Sequence, residues 1–289
     1  MLDNRIHTFI TLCETMNFTK TASILSITQP AVSQHIKYLE NKYGCQLFYH
    51  VGKKLLITEK GMILKEYALS MIYNNNKIFQ FMNLKEDVNR ILRIGATKTI
   101  GEYTIVSKIK NYLNKYINND ISLIIDNTSS LLNMLDNGEL DFALIEGYFN
   151  KSKYDYKVYK TDEFIGICSS NHRLGYKTIP IEELQTERLI IREKGSGSRA
   201  ILEQILSEYN YDLGLFSNVS EINSNGVIKE IVASGLGISF IYKSGVKDEL
   251  KAKKLKTFNI HRSIVFHEFS YVYLKNNLFE RDFQDFFNI

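Results

Sequence analysis

Apolar residues fall at helical spacing over residues 3–16 (Ile6, Phe9, Ile10, Cys13), which predicts an amphipathic helix at the start of the chain. Residues 18–40, FTKTASILSITQPAVSQHIKYLE, then read as two short helices joined by a tight turn. Thr19 stands where a first helix would be capped, and Ser26 and Ile27 make the turn. Thr28 caps a second helix, whose Pro30 lies where a missing N–H costs nothing. That second helix has two faces: Ala31, Val32, Ile36 and Leu39 recur for packing, while Gln29, Ser33, Gln34 and Lys37 offer short donors and acceptors on the other side. Spacing alone leaves two readings open, a recognition helix for a major groove or an ordinary αα-hairpin with a polar solvent face.

Further along, residues 47–57 alternate around Gly52, Lys53 and Lys54, the pattern of a short hairpin with a basic tip. Thr58 can cap a long helix reaching about residue 88, in which Leu64, Ala68, Met71, Asn75, Ile78 and Met82 recur at intervals of three and four. Such a narrow seam wants a partner helix. Asn75 within it either sets register or belongs to helix-end polarity in the Asn74-Asn75-Asn76 run.

After residue 90 the period switches. Strands over 92–96, 121–126 and 142–146 alternate with helices over 101–116 and 129–137. A second set follows, with strands over 164–169, 188–191 and 238–242 and helices over 199–209 and 225–234. Alternation of this kind predicts an α/β region with mostly parallel sheets.

Composition changes the picture in two places. The net charge is only +4, from 36 Lys and Arg against 32 Asp and Glu, so no strong basic field covers the chain. Residues 1–60, however, hold seven Lys or Arg against four Asp or Glu, which puts most of the excess beside the candidate reading head. Cys13, Cys45 and Cys168 are scattered without metal-ligand spacing, and six dispersed histidines suggest no catalytic order. His35 reads as a groove or surface residue rather than a base. These absences lead us to expect no metal, no cofactor and no enzymatic activity. With no charged-then-apolar leader and no run approaching a membrane span, a cytoplasmic protein without a membrane partner is expected.

Two loops carry candidate ligand chemistry. Residues Gly95 to Gly101 lie between a predicted strand and helix, so the amides and the hydroxyls of Thr97 and Thr99 converge on a helix N-terminus. Helix capping is the competing role for these threonines. Residues Arg192 to Arg199, REKGSGSR, again leave a strand and open a helix, with Ser196 and Ser198 as donors. Arg199 is placed to clamp an oxyanion or to pair with a carboxylate such as Glu146.

The order of residues from Arg5 to Gly61 resembles the winged helix-turn-helix of LysR-type transcriptional regulators. The resemblance rests on Phe9 with Leu12, Ala22, the run Thr28-Gln29-Pro30-Ala31-Val32-Ser33, Leu39-Glu40, Leu47-Phe48 and Leu56-Ile57-Thr58. It implies double-stranded DNA as a partner, contacted by Thr28, Gln29, Pro30, Ser33, Gln34 and Lys37 and, from the wing, His50, Lys53 and Lys54. His50 stands where the family commonly has arginine. Solvated tip lysines are the competing reading for Lys53 and Lys54.

For the rest of the chain the resemblance implies an effector-binding region folded like a periplasmic binding protein, two lobes around a cleft. The segments 192–199, 224–229 and 235–238 are similar to the sulfur-metabolism and carbon-fixation branches of the family. The effector contacts carried over are Thr97, Thr99, Ser196 and Ser198, with Thr128 and Glu146 at the ends of the second and third strands. A small anion is the expected effector. Expected domains are 1–58 (winged helix-turn-helix), 59–89 (linker helix) and 90–289, with one lobe over 90–161 and 268–289, the other over 162–267, and hinges near Thr161 and His267. The linker implies a homodimer, and the family a dimer of dimers. The rival from another class is a cleft enzyme or solute-binding protein on the same two-lobed fold.

Overall fold

The computed structural model describes residues 3–83, 91–261, 265–278 and 280–289. The chain divides into two compact units. The first is built from α1 (Asn4–Thr15), α2 (Phe18–Ile24), α3 (Gln29–Tyr43), the hairpin β1 (Phe48–Val51) and β2 (Lys54–Ile57), and α4 (Glu59–Asn83). Its core joins Phe9 and Leu12 of α1 to Ile36 and Leu39 of α3, Phe48 and Leu55 of the hairpin and Ala68 and Leu69 of α4. Phe9 and Phe48 meet ring to ring at 5.6 Å.

Local capping explains where these helices begin, with one correction. Asn17, not Thr19, caps α2: its side chain accepts from Lys20 N at 2.9 Å, while Thr19 is exposed inside the helix. Asn is the better cap because its carbonyl reaches the third amide from an extended backbone. Thr28 caps α3 by accepting from Ala31 N at 3.3 Å, and Thr58 accepts from Gly61 N at 2.9 Å at the head of α4. Continuation of α4 toward residue 88 lies outside the described residues.

The seam on α4 divides. Ala68 is buried and Leu64 partly so against the head's core, whereas Met71, Ile78 and Met82 are exposed. Ile63 and Tyr67 take the vacated places, so the exposed stripe reads Ile63, Tyr67, Met71, Ile78, Met82, with half-buried Asn75 between them. Leu64 and Ala68 lie where the head's core covers the helix, whereas Met71, Ile78 and Met82 lie beyond that cover.

The second unit begins with β3 (Ile91–Thr97), α5 (Lys98–Tyr103), α6 (Val106–Lys115), β4 (Asp120–Asp126), α7 (Thr128–Asp136) and β5 (Phe142–Glu146). The expected single helix over 101–116 is two helices, parted where Thr104 bonds back to Ile100 O and Ile105 is buried. Then come β6 (Tyr154–Ser169), β7 (Thr178–Ile179), β8 (Arg188–Ile191), α8 (Gly197–Glu208), β9 (Asn218–Glu221), α9 (Asn225–Ala233), β10 (Ser239–Tyr242), α10 (Lys247–Lys251), β11 (Leu255–Ile260), β12 (Val265–Leu274) and α11 (Glu280–Asn288).

β3 pairs in parallel with β4 and β5, forming the first lobe's sheet, and β8 pairs in parallel with β9 in the second lobe. A curled sheet runs β4-β3-β5-β12-β6-β11-β7, with β10 also on β6. The expected crossing points, Thr161 and His267, both lie inside long strands, β6 and β12, rather than in loops. Phe283, Phe286 and Phe287 of α11 pack on Phe142, closing the first lobe's aromatic core.

Candidate functional site

On α3 the buried side is Val32, Ile36 and Leu39, with Ala31 only half-buried. Thr28, Gln29, Pro30, Gln34 and Lys37 are exposed and Ser33 is half-buried on the other side. Gln29 donates from Nε2 to Ser33 Oγ at 3.0 Å, one helical turn on, so the two polar side chains form a pre-ordered pair. His35 does not belong to this face. Its Nδ1 is 2.8 Å from Thr8 Oγ1 of α1, a contact that ties α3 to its supporting helix. In the wing, Val51 pairs with Lys54 across the Gly52-Lys53 turn, and His50, Lys53 and Lys54 are all exposed. A helix face of amide and hydroxyl groups beside a cationic hairpin suits base edges and phosphates, respectively.

The cleft is built where strand ends meet helix starts. β3 delivers Thr97 and α5 delivers Thr99, while β5 ends at Glu146; all three are buried. Thr99 donates to Glu146 Oε1 at 3.0 Å, and Thr128 donates to the Glu146 carbonyl at 3.4 Å. From the second lobe, α8 arrives with Gly197 so close that a Cβ there would stand 2.2 Å from Glu146 O. Only glycine permits that approach, and Gly147, at φ +87°, meets it from the other side. Ser196 and Ser198 flank this contact, with their hydroxyls 2.9 Å apart, and a Cβ on Gly197 between them would stand 3.1 Å from Thr128 Oγ1.

Neither hydroxyl at the two helix starts serves as a cap. Thr97 and Ser196 occupy the capping positions of α5 and α8 and make no side-chain cap bond. Thr97 Oγ1, Glu146 Oε2, Asn225 Nδ2 and Tyr242 OH are buried side-chain atoms with no hydrogen-bond partner among the described residues. Buried polar atoms are normally satisfied, so each of these orphans calls for a partner that the described residues do not supply.

Arg199 is a correction. It meets Glu203 at 2.8 Å and Glu221 at 2.5 Å and donates to Arg192 O, and no bond to Glu146 forms. The helical turn puts Arg199 above Glu203 at i+4, a local pair that commits it to carboxylates other than Glu146. The buried arginine of the site is Arg192, whose guanidinium binds Glu193 through Nε and Nη2 at 2.8 and 3.0 Å and Asn225 Oδ1 through Nη1 at 3.0 Å. Sequence reasoning assigned Arg192 and Asn225 no role. A signal existed: Arg192 directly follows the buried strand β8, as Glu146 ends β5.

Electrostatics follow from burial. Desolvation pushes the Glu146 carboxyl up to about 7, against the Thr99 hydrogen bond, the charge of Arg192 and the nearby Thr97 hydroxyl, which lies too poorly for a hydrogen bond of its own; Asp162 adds to the rise. Burial also raises Glu193, but the bonds and charge of Arg192 outweigh it and hold that carboxyl below its usual range. Tyr242 is pushed well up by burial and by the charge of Glu146. Lys98 bridges the lobes, donating to Asn223 O and standing 3.8 Å from Glu193 Oε1. No group of three or more His, Cys, Asp or Glu that could hold a metal occurs among the described residues. Nor, among them, is any helix long and apolar enough to cross a membrane.

Comparison with known proteins matches these two regions separately. Residues 4–62 match the bacterial regulatory helix-turn-helix protein, lysR family, and residues 85–289 match the LysR substrate binding domain. The chain is 31% identical over 271 residues to the HTH-type transcriptional regulator CysL of Bacillus subtilis, covering 93% of this chain and 89% of that one. It is 26% identical to the RuBisCO operon transcriptional regulator of Allochromatium vinosum, covering 84% and 80%. These are the two branches that the loops pointed to. Among solved structures, the CcmR regulatory domain of Synechocystis PCC6803 in complex with 2-PG superposes with a TM-score of 0.62 at 24% identity, over 69% of this chain and 96% of that one. A helix-turn-helix head, a two-lobed domain and relatives named as regulators rather than enzymes agree: this chain belongs to the LysR family of transcriptional regulators.

Proposed function

We propose that this regulator works in the cytoplasm and binds a small anion in the interlobe cleft through Thr97, Thr99, Ser196 and Ser198, with Arg192 and Asn225 in place of Arg199. Thr128 and Glu146 complete the wall. The observation that carries the reading is the uncapped N-terminus of α8, whose Gly197 packs against Glu146 and Thr128, together with the buried, unpartnered Thr97 Oγ1 and Asn225 Nδ2. Unpaired amides and a positive dipole end favour an anion, and donors already desolvated lose little on binding it. That the CcmR regulatory domain holds 2-PG is consistent with a small ligand here. Domains at 1–58, 59–89 and 90–289 accommodate this division of labour.

Gln29, Ser33 and Gln34 read base edges, while Thr28, Pro30, Lys37, His50, Lys53 and Lys54 meet the backbone, Lys37, Lys53 and Lys54 through phosphates. The exposed stripe of α4 pairs with a second copy, giving two heads on one operator; two such dimers make the tetramer. Calorimetry of the full chain with inorganic phosphate and with sulfate, set beside the Thr99→Ala/Ser196→Ala double variant, tests the cleft. The double variant should lose anion binding and keep basal DNA affinity in mobility shifts at two salt concentrations. Equal anion affinities in the two proteins would remove the clamp. Ile78→Asp sedimenting as the wild-type dimer would move the pairing surface elsewhere.

A further inference from the structure

A carboxylate at the bottom of an anion cleft is a contradiction unless a proton resolves it. Glu146 is 1% exposed, with Oε1 engaged by Thr99 and Oε2 free of any hydrogen bond among the described residues. Around it stand Thr97 from β3, Thr99 from α5, Arg192 after β8, Asp162 in β6 and Tyr242 in β10. Of these, Arg192 is the cation, but its Nε and Nη2 are committed to Glu193 and its Nη1 to Asn225. Asp162 has its own partner, Lys160 at 3.5 Å, and Lys98 lies at the rim with Glu193 and Asn223. An ionised ligand oxygen placed near Oε2 would therefore face a like charge in a desolvated site, which is strongly unfavourable. One shared proton converts that repulsion into a hydrogen bond.

On the reading that the cleft holds an anion, we propose that Glu146 selects a small weak-acid oxyanion, one that still carries a proton near neutral pH and donates it in a hydrogen bond to Glu146 Oε2. A permanently ionised oxyanion of the same size brings no such proton. It binds only when Glu146 takes one from solution, and burial of this carboxyl, which raises its affinity for a proton to about pH 7, sets where that begins to fail. The donors around the site that lack partners among the described residues, Thr97 Oγ1, Asn225 Nδ2 and Tyr242 OH, can serve either kind of anion. Discrimination therefore falls to Glu146.

The test compares inorganic phosphate, an oxyanion of the kind that retains a proton, with sulfate, which is fully ionised above pH 5. Calorimetry on the full chain at pH 6, 7 and 8, repeated in buffers of different ionisation enthalpy, reads affinity and proton uptake together. The wild type should bind phosphate at least tenfold tighter than sulfate at pH 8. Sulfate should weaken about tenfold per pH unit above about 7 and take up close to one proton per anion, the signature of a single linked group. Phosphate should show neither to the same extent. In Glu146→Gln the amide donates to any oxyanion, so sulfate should gain tenfold or more at pH 8 and lose its pH dependence. Wild-type affinities for the two anions within threefold, without proton uptake for sulfate, would overturn the proposal. So would Glu146→Gln keeping wild-type selectivity while Thr99→Ala/Ser196→Ala loses phosphate, and in that case the anion cleft itself survives. Failure of the wild type and of Glu146→Gln to bind either anion would overturn both.

Discussion

Thr28 and Thr97 occupy the same position in two helices and do opposite things. Each precedes the first turn with an extended backbone, at φ −80°, ψ 151° and φ −65°, ψ 156°. Thr28 is exposed and spends its hydroxyl on Ala31 N, whereas Thr97 is 2% exposed and its hydroxyl bonds nothing among the described residues. Backbone conformation therefore does not decide whether a hydroxyl caps its helix. A helix in a DNA-reading head must hold its shape before it meets DNA. A helix start lining a ligand cleft can leave its donors for the ligand.

Four substitutions break or sharpen that contrast. The largest effect belongs to the acid beside Thr97. Folding raises the Glu146 carboxyl from 4.5 to about 7, so the folded chain holds a proton that the unfolded chain has released over that interval. Stability from this group is full below about 4.5 and is lost as pH rises to about 7, a change of about 3 kcal/mol for a fully buried group. The difference in unfolding free energy between wild type and Glu146→Gln should shift by that order between pH 4.5 and 8, and a flat difference would show the carboxyl to be ordinary. Next comes Gly197→Ala, whose methyl would collide with the Glu146 carbonyl and force α8 off β5. Thermal unfolding should report a loss of about 2 kcal/mol, in the range of overpacked cores, and calorimetry should report lost phosphate binding. An alanine variant as stable as wild type would deny the close approach.

Smaller effects separate the two threonines directly. Thr28→Ala removes a working cap and should cost about 1 kcal/mol in denaturant unfolding. Thr97→Val deletes a hydroxyl that has no bond to lose, so stability should hold or rise by up to about 1 kcal/mol while anion affinity drops roughly tenfold. If Thr97→Val destabilises as much as Thr28→Ala, both hydroxyls cap and the contrast is gone.

How much of this was legible beforehand depends on how local the cause is. The head was readable because its helices obey short-range rules: apolar spacing in α1 and α3, Thr28 before Pro30, Thr58 before α4. Even there Asn17 was passed over for Thr19, since both residue types cap and only the backbone geometry chooses. In the cleft, Thr97 and Glu146 end apolar strands and Thr99 lies in the helix that follows the first of them, where a strand run makes its exit visible. Arg199 was misplaced because a sequence shows which residue opens a helix but not that Glu203 and Glu221 will hold it. The first half of β6, Tyr154 to Glu163, was missed for a related reason. Its exposure alternates weakly, and its place in the sheet is fixed by β12, about a hundred residues away.

The pairing of β5 with β12 places Phe269 opposite Glu146, and α11 lays Phe287 on Phe142 at 5.0 Å and on Tyr271 at 4.1 Å. On a ribosome, the segment from Phe164 to Phe258 emerges with its own strand partners, β6, β10 and β11, and can condense as soon as it is free. The first lobe has no such independence. Its strands β3, β4 and β5 precede β12 and α11 in the chain, so the Phe142 side stays uncovered until those later elements are made. A nascent chain stalled before Phe269 carries every hydroxyl proposed to line the cleft and lacks the strand that flanks Glu146, so on that proposal ligand responsiveness waits on β12.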